Sequence, residues 1–388
     1  MIASNQVKKE ENGANFKSTE SVKAQDAQRQ AQPKFKPEGE FAKVLKNRVN
    51  NYFREQNISK HCNMEMVVKT IFYLTLMFAI YFTVLFGPFE GIILLGFAFF
   101  LGVVSGLIGF NVGHDAIHGG YSTKAWVNNL LGQTFTAFGA YAPNWKFTHN
   151  QCHHTFPSVP GADGDYTPAP ILRFHEETAW RPIHRFQHLY VWFLYSIFTL
   201  EWVLVRDIKQ MRKKQHLIYQ KPKLKKGAMT KVYIAKLIYY ANVFLWPALL
   251  LDIPWWGVPI GFLVMQVGLG LTLSLVFQLG HMVEDMPKDW PDENNELSQS
   301  YFEHQCSTAV NFSSKSWFSS WMTGGLNTQI EHHLFPNICS IHYRKLAPIV
   351  KKTAEEFGIS YREYPTWLKT LAAHYRLLRG LGKKISVS

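Results

Sequence analysis

Four long apolar segments, arranged as two closely spaced pairs, constrain the fold of this chain more than any other feature. Residues 66–86 and 91–110 form the first pair, and residues 232–252 and 258–279 form the second. Each has about the 20 residues that an α-helix needs to cross a bilayer. The turns between partners are short and lack Lys and Arg. The pattern predicts an all-α integral membrane protein with four transmembrane helices in two hairpins.

Three histidine clusters lie just outside these segments, and an isolated histidine ends the last one. Each cluster contains side chains three or four positions apart, which share one face of a helix, and two clusters add an adjacent histidine. One such cluster alone could be a polar loop, but imidazole is also the commonest transition-metal ligand in proteins. Eight imidazoles exceed what one ion can bind, which predicts two ions. The predicted ligands are His114, His118, His149, His153, His154, His281, His332 and His333, with Gln329 as a ninth candidate.

The number of spans determines whether all the histidine clusters lie on the same side of the membrane. A fifth apolar stretch, residues 189–205, is short and contains Glu201. If it crossed, the clusters before and after it would lie on opposite faces, so we expect it to lie in the interface. The net charge of +13 comes from Lys and Arg that gather beside the apolar segments, as in residues 206–236. This placement favours the positive-inside arrangement over nucleic-acid binding and puts the clusters on the cytoplasmic face.

The remaining segments divide by composition. A polar leader has few apolar residues, which is typical of disorder, and the segment after it has apolar residues at helical spacing among Lys and Arg. The predicted divisions are a disordered tail at residues 1–40, an amphipathic cytoplasmic helix at 41–65, a membrane and catalytic domain at 66–345, and a cytoplasmic helical extension at 346–388.

The ligand set narrows the choice of metal. Zinc usually takes four ligands that include Cys or a carboxylate, and haem needs only two axial ligands. Soluble di-iron carboxylate proteins repeat Glu-x-x-His, which only Asp115-x-x-His118 approaches here. A histidine-rich di-iron centre remains, held in a helical cap at the cytoplasmic ends of the spans. Iron with neutral nitrogen ligands at a membrane surface suits oxygen activation for attack on a lipid C–H bond.

Three further residues are candidates for supporting the ligands. Asp115 is expected to accept a hydrogen bond from the ring of His114 or His118, with direct metal coordination as the alternative. His304 and Asn311 lie near the clusters in sequence and are candidates for the same supporting role. The segment Asp163-Gly-Asp165 lacks the other ligands of a calcium loop and is expected to be a turn.

The clusters resemble the three histidine boxes of the membrane fatty acid desaturases over roughly residues 66–345. The matching segments are His114-Asp-Ala-Ile-His118, His149-Asn-Gln-Cys-His153-His154 and Gln329-Ile-Glu-His332-His333. Many desaturases begin the third box with His, and Gln329 at that position resembles the front-end, delta-6-like subgroup. His281 resembles the isolated ligand that the family has after its last span.

The resemblance implies an activity and its partners. We expect two iron ions and oxygen-dependent removal of two hydrogens from adjacent methylenes of a fatty acyl chain, which leaves a cis double bond. In a front-end enzyme the new bond lies between an existing one and the carboxyl end. The His-Pro-Gly-Gly motif of a fused cytochrome b5 is absent from the sequence. Electrons are therefore expected from a separate ferredoxin or cytochrome b5, and the acyl group from a CoA, carrier-protein or lipid-linked substrate.

Two alternatives stay open at this point. A sphingolipid desaturase or a lipid hydroxylase would use the same scaffold, because hydroxylation begins with the same hydrogen abstraction. A histidine-rich metal transporter would need ligands inside the spans. The clusters instead lie at the ends of the apolar segments, which disfavours transport.

Overall fold

The computed structural model describes residues 31–166 and 170–384, and the chain there is mostly helical. Five helices are long and apolar enough to cross a membrane, one more than the number of predicted spans. The additional one contains the stretch that we expected in the interface. The five are α2 (Met64–Phe86), α3 (Gly91–His118), α7 (Pro182–Arg212), α8 (Ala228–Leu250) and α9 (Gly257–His281).

Shorter elements surround the ends of these helices. The other helices are α1 (Glu40–Glu55), α4 (Ala125–Gly132), α5 (Thr134–Ala137), α6 (Ala142–Lys146), α10 (Tyr301–Ser307), α11 (Trp317–Thr323), α12 (Gln329–Leu334), α13 (Tyr343–Glu356) and α14 (Trp367–Leu381). The strands are β1 (Lys34–Lys36), β2 (Gln215–His216), β3 (Tyr219–Gln220), β4 (Glu296–Ser300), β5 (Asn311–Phe312) and β6 (Glu363–Tyr364). They pair two by two, as β1–β4, β2–β3 and β5–β6.

Helices α3 and α9 pack closely because glycine faces backbone at their contact. A Cβ atom on Gly102 would lie 1.9 Å from the carbonyl oxygen of Met265, and one on Gly268 would lie 2.3 Å from that of Phe99. Only glycine allows such an approach at these two positions. Since both helices end in predicted ligands, His118 and His281, this contact brings two of the histidine segments together.

Helix α7 packs antiparallel along α9, since Ser196 meets Gly270, Thr199 bonds to the carbonyl of Gln266 and Val203 clusters with Phe262. Near its start, the Gln187 side chain donates to the carbonyl of Leu378 on α14, which itself packs at the end of α9. Near its other end, Asp207 accepts from the Tyr141 backbone and the Asn144 side chain, just before the second histidine cluster. Length and apolar composition alone therefore do not decide whether α7 crosses the membrane.

The amphipathic helix expected at residues 41–65 is shorter in the structure, where α1 ends at Glu55. Its apolar side, which includes Phe41, Leu45 and Val49, is buried against α12 and α13. This contact places α1 beside the third histidine cluster. The segment thus forms part of the cap that holds the site.

The prediction of a disordered tail to residue 40 is wrong for its last residues. Strand β1 pairs in parallel with β4, and the Phe35 ring stacks on Phe156 at 4.9 Å between centroids. That aromatic ring supplies apolar contact that the polar composition of the tail did not predict. The rest of the prediction falls on residues 1–30, outside the described residues.

Candidate metal centre

All eight predicted histidines lie together, in two adjoining groups. Within each group the candidate ligand atoms lie within 4.8 Å of one another. The groups touch where the rings of His154 and His333 stack at 4.3 Å between centroids. Group one is His114, His118, His149, His154 and His332, and group two is His153, His281 and His333.

Several of these side chains lie on π-helical turns, which are wider than the turns of an α-helix. A π-helical turn at Gly109–His114 interrupts α3, and a second one, Phe147–His153, follows α6. Such turns insert one extra residue per turn and are frequent at functional sites. The regular i, i+4 helix expected for His149 and His153 is therefore replaced by a wider turn, which still keeps both side chains in the centre.

The inner ring nitrogens of the histidines face each other. The Nε2 atom of His149 lies 3.1 Å from that of His114 and 3.2 Å from that of His154. A neutral imidazole has one N–H, so such a pair shares at most one proton between two nitrogens. In group two, the Nε2 atoms of His281 and His333 are 3.0 Å apart.

Two further inner nitrogens lack partners. Among the described residues, Nε2 of His118 and Nε2 of His332 are buried and make no hydrogen bond. Burial lowers the pKa of His149, His154, His332 and His333 well below the usual value, with neighbouring histidines as a further cause. Neutral imidazoles whose lone pairs converge and lack donors fit the requirements of a bound cation.

The outer ring nitrogens of group two are bonded to acceptors that the sequence did not reveal, whereas Nδ1 of His114 and Nδ1 of His154 in group one are buried without a partner among the described residues. Asp163 accepts from Nδ1 of His153 at 3.0 Å, and the Gln305 side chain accepts from Nδ1 of His333 at 2.9 Å. The carbonyl of Thr308 accepts from Nδ1 of His281 at 2.9 Å. With the proton held on Nδ1, the Nε2 lone pair points into the centre.

Asp163 does lie in the expected turn, where it also accepts from the backbone N–H groups of Ser158 and Asp165. Its role toward His153 could not be read from the sequence, because nothing in a turn motif specifies which side chain it faces. Burial acts to lower the pKa of His153, but the adjacent Asp163 carboxylate outweighs burial and raises it.

Gln329 lies inside group two. Its Nε2 atom is 3.0 Å from Nε2 of His281, and its Oε1 atom is buried without a partner among the described residues. The oxygen and nitrogen of the Gln329 amide occupy equivalent positions, so a 180° rotation of the amide turns Oε1 toward His281. Gly280 makes room for this side chain, because a Cβ there would lie 2.9 Å from its Cγ.

The expectation that Asp115 orients His114 or His118 is wrong. Its Oδ2 atom accepts from the backbone and hydroxyl of Ser340 at 3.1 and 2.8 Å, and from the Cys339 thiol. Nδ1 of His114 is buried without a partner among the described residues, so Asp115 does not hold that ring. It instead ties α3 to the segment after the third cluster.

The hydrogen bonds of His304 and Asn311 go to residues other than the predicted ligands. The ring nitrogens of His304 bond to Asp289 and to the carbonyl of Pro157. Asn311 receives the Ile330 backbone N–H at 3.0 Å and donates to Glu331 at 2.7 Å. Asn311 therefore supports α12, which carries three candidate ligands.

Residues 90–365 match the family model described as fatty acid desaturase. The chain belongs to the fatty acid desaturase family. It is 33% identical over 352 residues to the sn-1 linoleoyl-lipid 6-desaturase of Synechocystis sp., which covers 90% of this chain and 98% of that protein. It is 35% identical over 359 residues to the protein of the same name from Arthrospira platensis, covering 90% and 93%.

A third relative is the acyl-lipid (8-3)-desaturase of Physcomitrium patens, 30% identical over 351 residues, which cover 88% of this chain and 72% of that protein. The prediction of an oxygen-dependent desaturase of fatty acyl chains is confirmed, over the hydroxylase and transporter alternatives. This desaturase is a multi-pass membrane protein whose histidine groups are compatible with metal binding.

The hydrogen bond between Asp163 and His153 predicts that a variant without the Asp163 charge binds metal more weakly. Asp163→Asn keeps an oxygen that can accept from the turn but removes the charge facing His153. We expect iron affinity to fall by about 10- to 100-fold, as for other partners of metal-bound histidines. Iron per protein, measured after equilibration with a competing chelator, reports the change.

Asp292→Asn is the matched control. Asp292 accepts from the backbone N–H groups of Asn294 and Glu296 in an exposed turn and contacts no histidine of either group. An equal loss of iron in both variants would contradict the assigned role of Asp163.

Proposed function

We propose that this desaturase is a front-end enzyme that forms a cis double bond at carbon 6 of a fatty acyl chain esterified in a membrane lipid. Two relatives that match almost the whole chain are named sn-1 linoleoyl-lipid 6-desaturases. Gln329 at the first position of the third box agrees with that subgroup. The existing double bond of a linoleoyl chain would lie on the methyl side of the new one.

We propose that the two histidine groups hold two iron ions. The five histidines of group one would bind the first, and the three of group two, with Gln329 or a water that it positions, would bind the second. Bound iron supplies oxygen activation, with electrons from a separate ferredoxin or cytochrome b5. The single observation that carries this proposal is the convergence of eight histidine rings whose inner nitrogens lack sufficient hydrogen-bond donors.

Neighbouring side chains orient the ligand rings and exclude water from the metal centre. Asp163 and Gln305 hold Nδ1 protons, so the inner nitrogens of His153 and His333 stay free to bind metal. The indole of Trp145 stacks on His149 at 4.1 Å between centroids, and Phe277 contacts the same ring from α9. These aromatic walls keep the centre dry on the side of the membrane helices.

For the membrane arrangement we propose four spans, α2, α3, α8 and α9, with the histidine groups on the cytoplasmic face and α7 in the interface. Gln187 near the start of α7 bonds to Leu378 on α14, and Asp207 near its end bonds to Asn144, shortly before the second histidine cluster. A single crossing would separate those ends by the thickness of the bilayer. The exposed Lys124 and Lys226, which flank α7 in sequence, should therefore lie on one side.

Cysteine labelling tests this arrangement. In a Cys62→Ser background, Lys124→Cys and Lys226→Cys should react with a membrane-impermeant maleimide only after the cells are permeabilised. The turn variant Glu90→Cys should react in intact cells and serves as the control. Labelling of Lys124→Cys and Lys226→Cys from opposite sides would show that α7 crosses.

Feeding linoleate to a host without such an enzyme tests the activity. Gas chromatography with mass spectrometry should detect a triene with its new bond at carbon 6, and pulse labelling should find it first in the glycerolipids. His153→Ala should lose both product and iron, because group two would keep only two histidines. His61→Ala, outside both groups, should retain both.

Other outcomes separate the parts of this proposal. A product that appears first in the acyl-CoA pool would overturn the lipid-linked substrate but leave the desaturase. A new bond on the methyl side of the existing one would overturn the front-end assignment. Full activity of His153→Ala without bound iron would overturn the di-iron proposal.

Gln329 gives a sharper test of group two. Gln329→Ile has similar volume but no oxygen to bind metal or water, so we expect turnover to fall by at least about tenfold, the equivalent of 1.4 kcal/mol in barrier. Gln329→His should retain iron, because imidazole is a stronger ligand. Turnover and iron content are measured on the same preparations, and unchanged turnover in Gln329→Ile would exclude both roles of the amide.

A further inference from the structure

An open groove of about 370 Å³ lies between the first turns of α7 and the end of α14. We call it the basic groove. None of its residues belongs to the two histidine groups, and its lining contains no carboxylate. Within residues 31–166 and 170–384, its four cationic side chains form no ion pair with Asp or Glu. The lining residues are Arg185, His188, Arg379, Gly382, Lys383 and Lys384.

The backbone that carries these cations is firmly held. Trp180 donates from its indole nitrogen to the carbonyl of Gly382 at 2.9 Å, and Arg173 donates to that of Leu381 at 2.9 Å. Glycine is required at position 382, where the end of α14 packs against α7, because a Cβ there would lie 2.5 Å from the carbonyl oxygen of His184. The carbonyls of Leu381 and Gly382 are thus satisfied by Arg173 and Trp180, not by the cations of the groove.

Two cations of the basic groove lie over the same aromatic ring, that of Trp180. The Arg185 guanidinium lies 5.5 Å from the centre of the Trp180 ring, and the Lys384 ammonium lies 5.9 Å from the same centre. The neighbouring Nδ1 atom of His188 is buried without a hydrogen-bond partner among the described residues. Cations held together without a counter-charge repel one another, and an anion with several oxygens would relieve that repulsion.

The surroundings of the basic groove indicate where the anion comes from. Beside it, α7 exposes a row of large apolar side chains, each 45–65% exposed, which in a membrane enzyme are covered by acyl chains. The cations at the edge of that row then lie at the depth of lipid headgroups. The row consists of Ile183, Phe186, Leu189 and Phe193.

We propose that the basic groove binds the phosphate of an anionic phospholipid from the surrounding bilayer and so fastens the start of α7 to the end of α14. The phosphate oxygens accept from Arg185, Arg379, Lys383 and Lys384. The acyl chains of the lipid cover the apolar row of α7. This site is separate from the metal centre, and binding there does not depend on desaturation.

Native mass spectrometry of the purified iron-loaded enzyme tests the proposal with short-chain phosphatidylglycerol and phosphatidylcholine as probes. The wild-type protein should bind phosphatidylglycerol more tightly. The double variant Arg379→Gln/Lys383→Gln should bind it about thirtyfold more weakly, since each cation near an anionic headgroup contributes a factor of roughly five. Its affinity for phosphatidylcholine, in which the choline cation offsets the phosphate charge, should fall much less.

The double variant Lys345→Gln/Lys352→Gln on α13 removes the same charge from another exposed surface and should keep wild-type affinity for phosphatidylglycerol. Iron content and the thermal midpoint of each variant verify that it is folded. Equal weakening in both double variants would overturn the proposal, as would equal affinity of the wild type for both lipids.

Two other results would assign the basic groove to a different ligand and overturn the lipid proposal. One is displacement of phosphatidylglycerol by inorganic phosphate at the same concentration, which indicates a site for free phosphate. The other is unchanged lipid affinity together with lost donor-dependent turnover in Arg379→Gln/Lys383→Gln, which indicates a docking site for an acidic electron donor.

Discussion

The whole arrangement depends on neutral imidazole nitrogens that face one another in a buried space. Nitrogens 3.0–3.2 Å apart, such as Nε2 of His149 and Nε2 of His114, share at most one proton, and other inner nitrogens have no donor at all. Buried acceptors without donors cost free energy, about 1–3 kcal/mol each. Cations that bind these lone pairs remove that cost, so the same contacts that would destabilise a metal-free core stabilise a proposed di-iron centre.

Carboxylates surround this centre without entering either histidine group. Asp163 holds the outer nitrogen of His153, and Asp115 ties α3 to Ser340. Glu331, between two candidate ligands in sequence, is turned toward Asn311 and Tyr361, and burial raises its pKa to about 7 in spite of those hydrogen bonds. Of these three carboxylates, only Asp163 bonds to a candidate ligand, and its negative charge lies outside the ring of His153, where it fixes the orientation of that ring.

The sequence predicted the histidines and the four apolar segments, because helical spacing and segment length are local properties. It did not predict Gln305 beside His333 or Asp163 beside His153, since those contacts depend on how distant segments fold together. The error at Asp115 has the same origin: adjacency in sequence to His114 suggested contact, but its partner Ser340 is 225 positions away. The division of the histidines into five and three likewise depends on packing, such as the glycine contact between α3 and α9 at Gly102.

Helix α7 shows why apolar length is an incomplete guide in this fold. It has 31 residues, enough to cross, and it packs along α9, where Gly270 lets the backbone at Ser196 approach closely. From there Trp202 joins Phe277 and Trp145 in an apolar cluster that reaches His149. Through Trp202, α7 thus contributes to the aromatic wall beside the metal centre. The apolar character of α7 therefore serves the metal centre as much as the bilayer, which is the physical reason to propose that it lies in the interface.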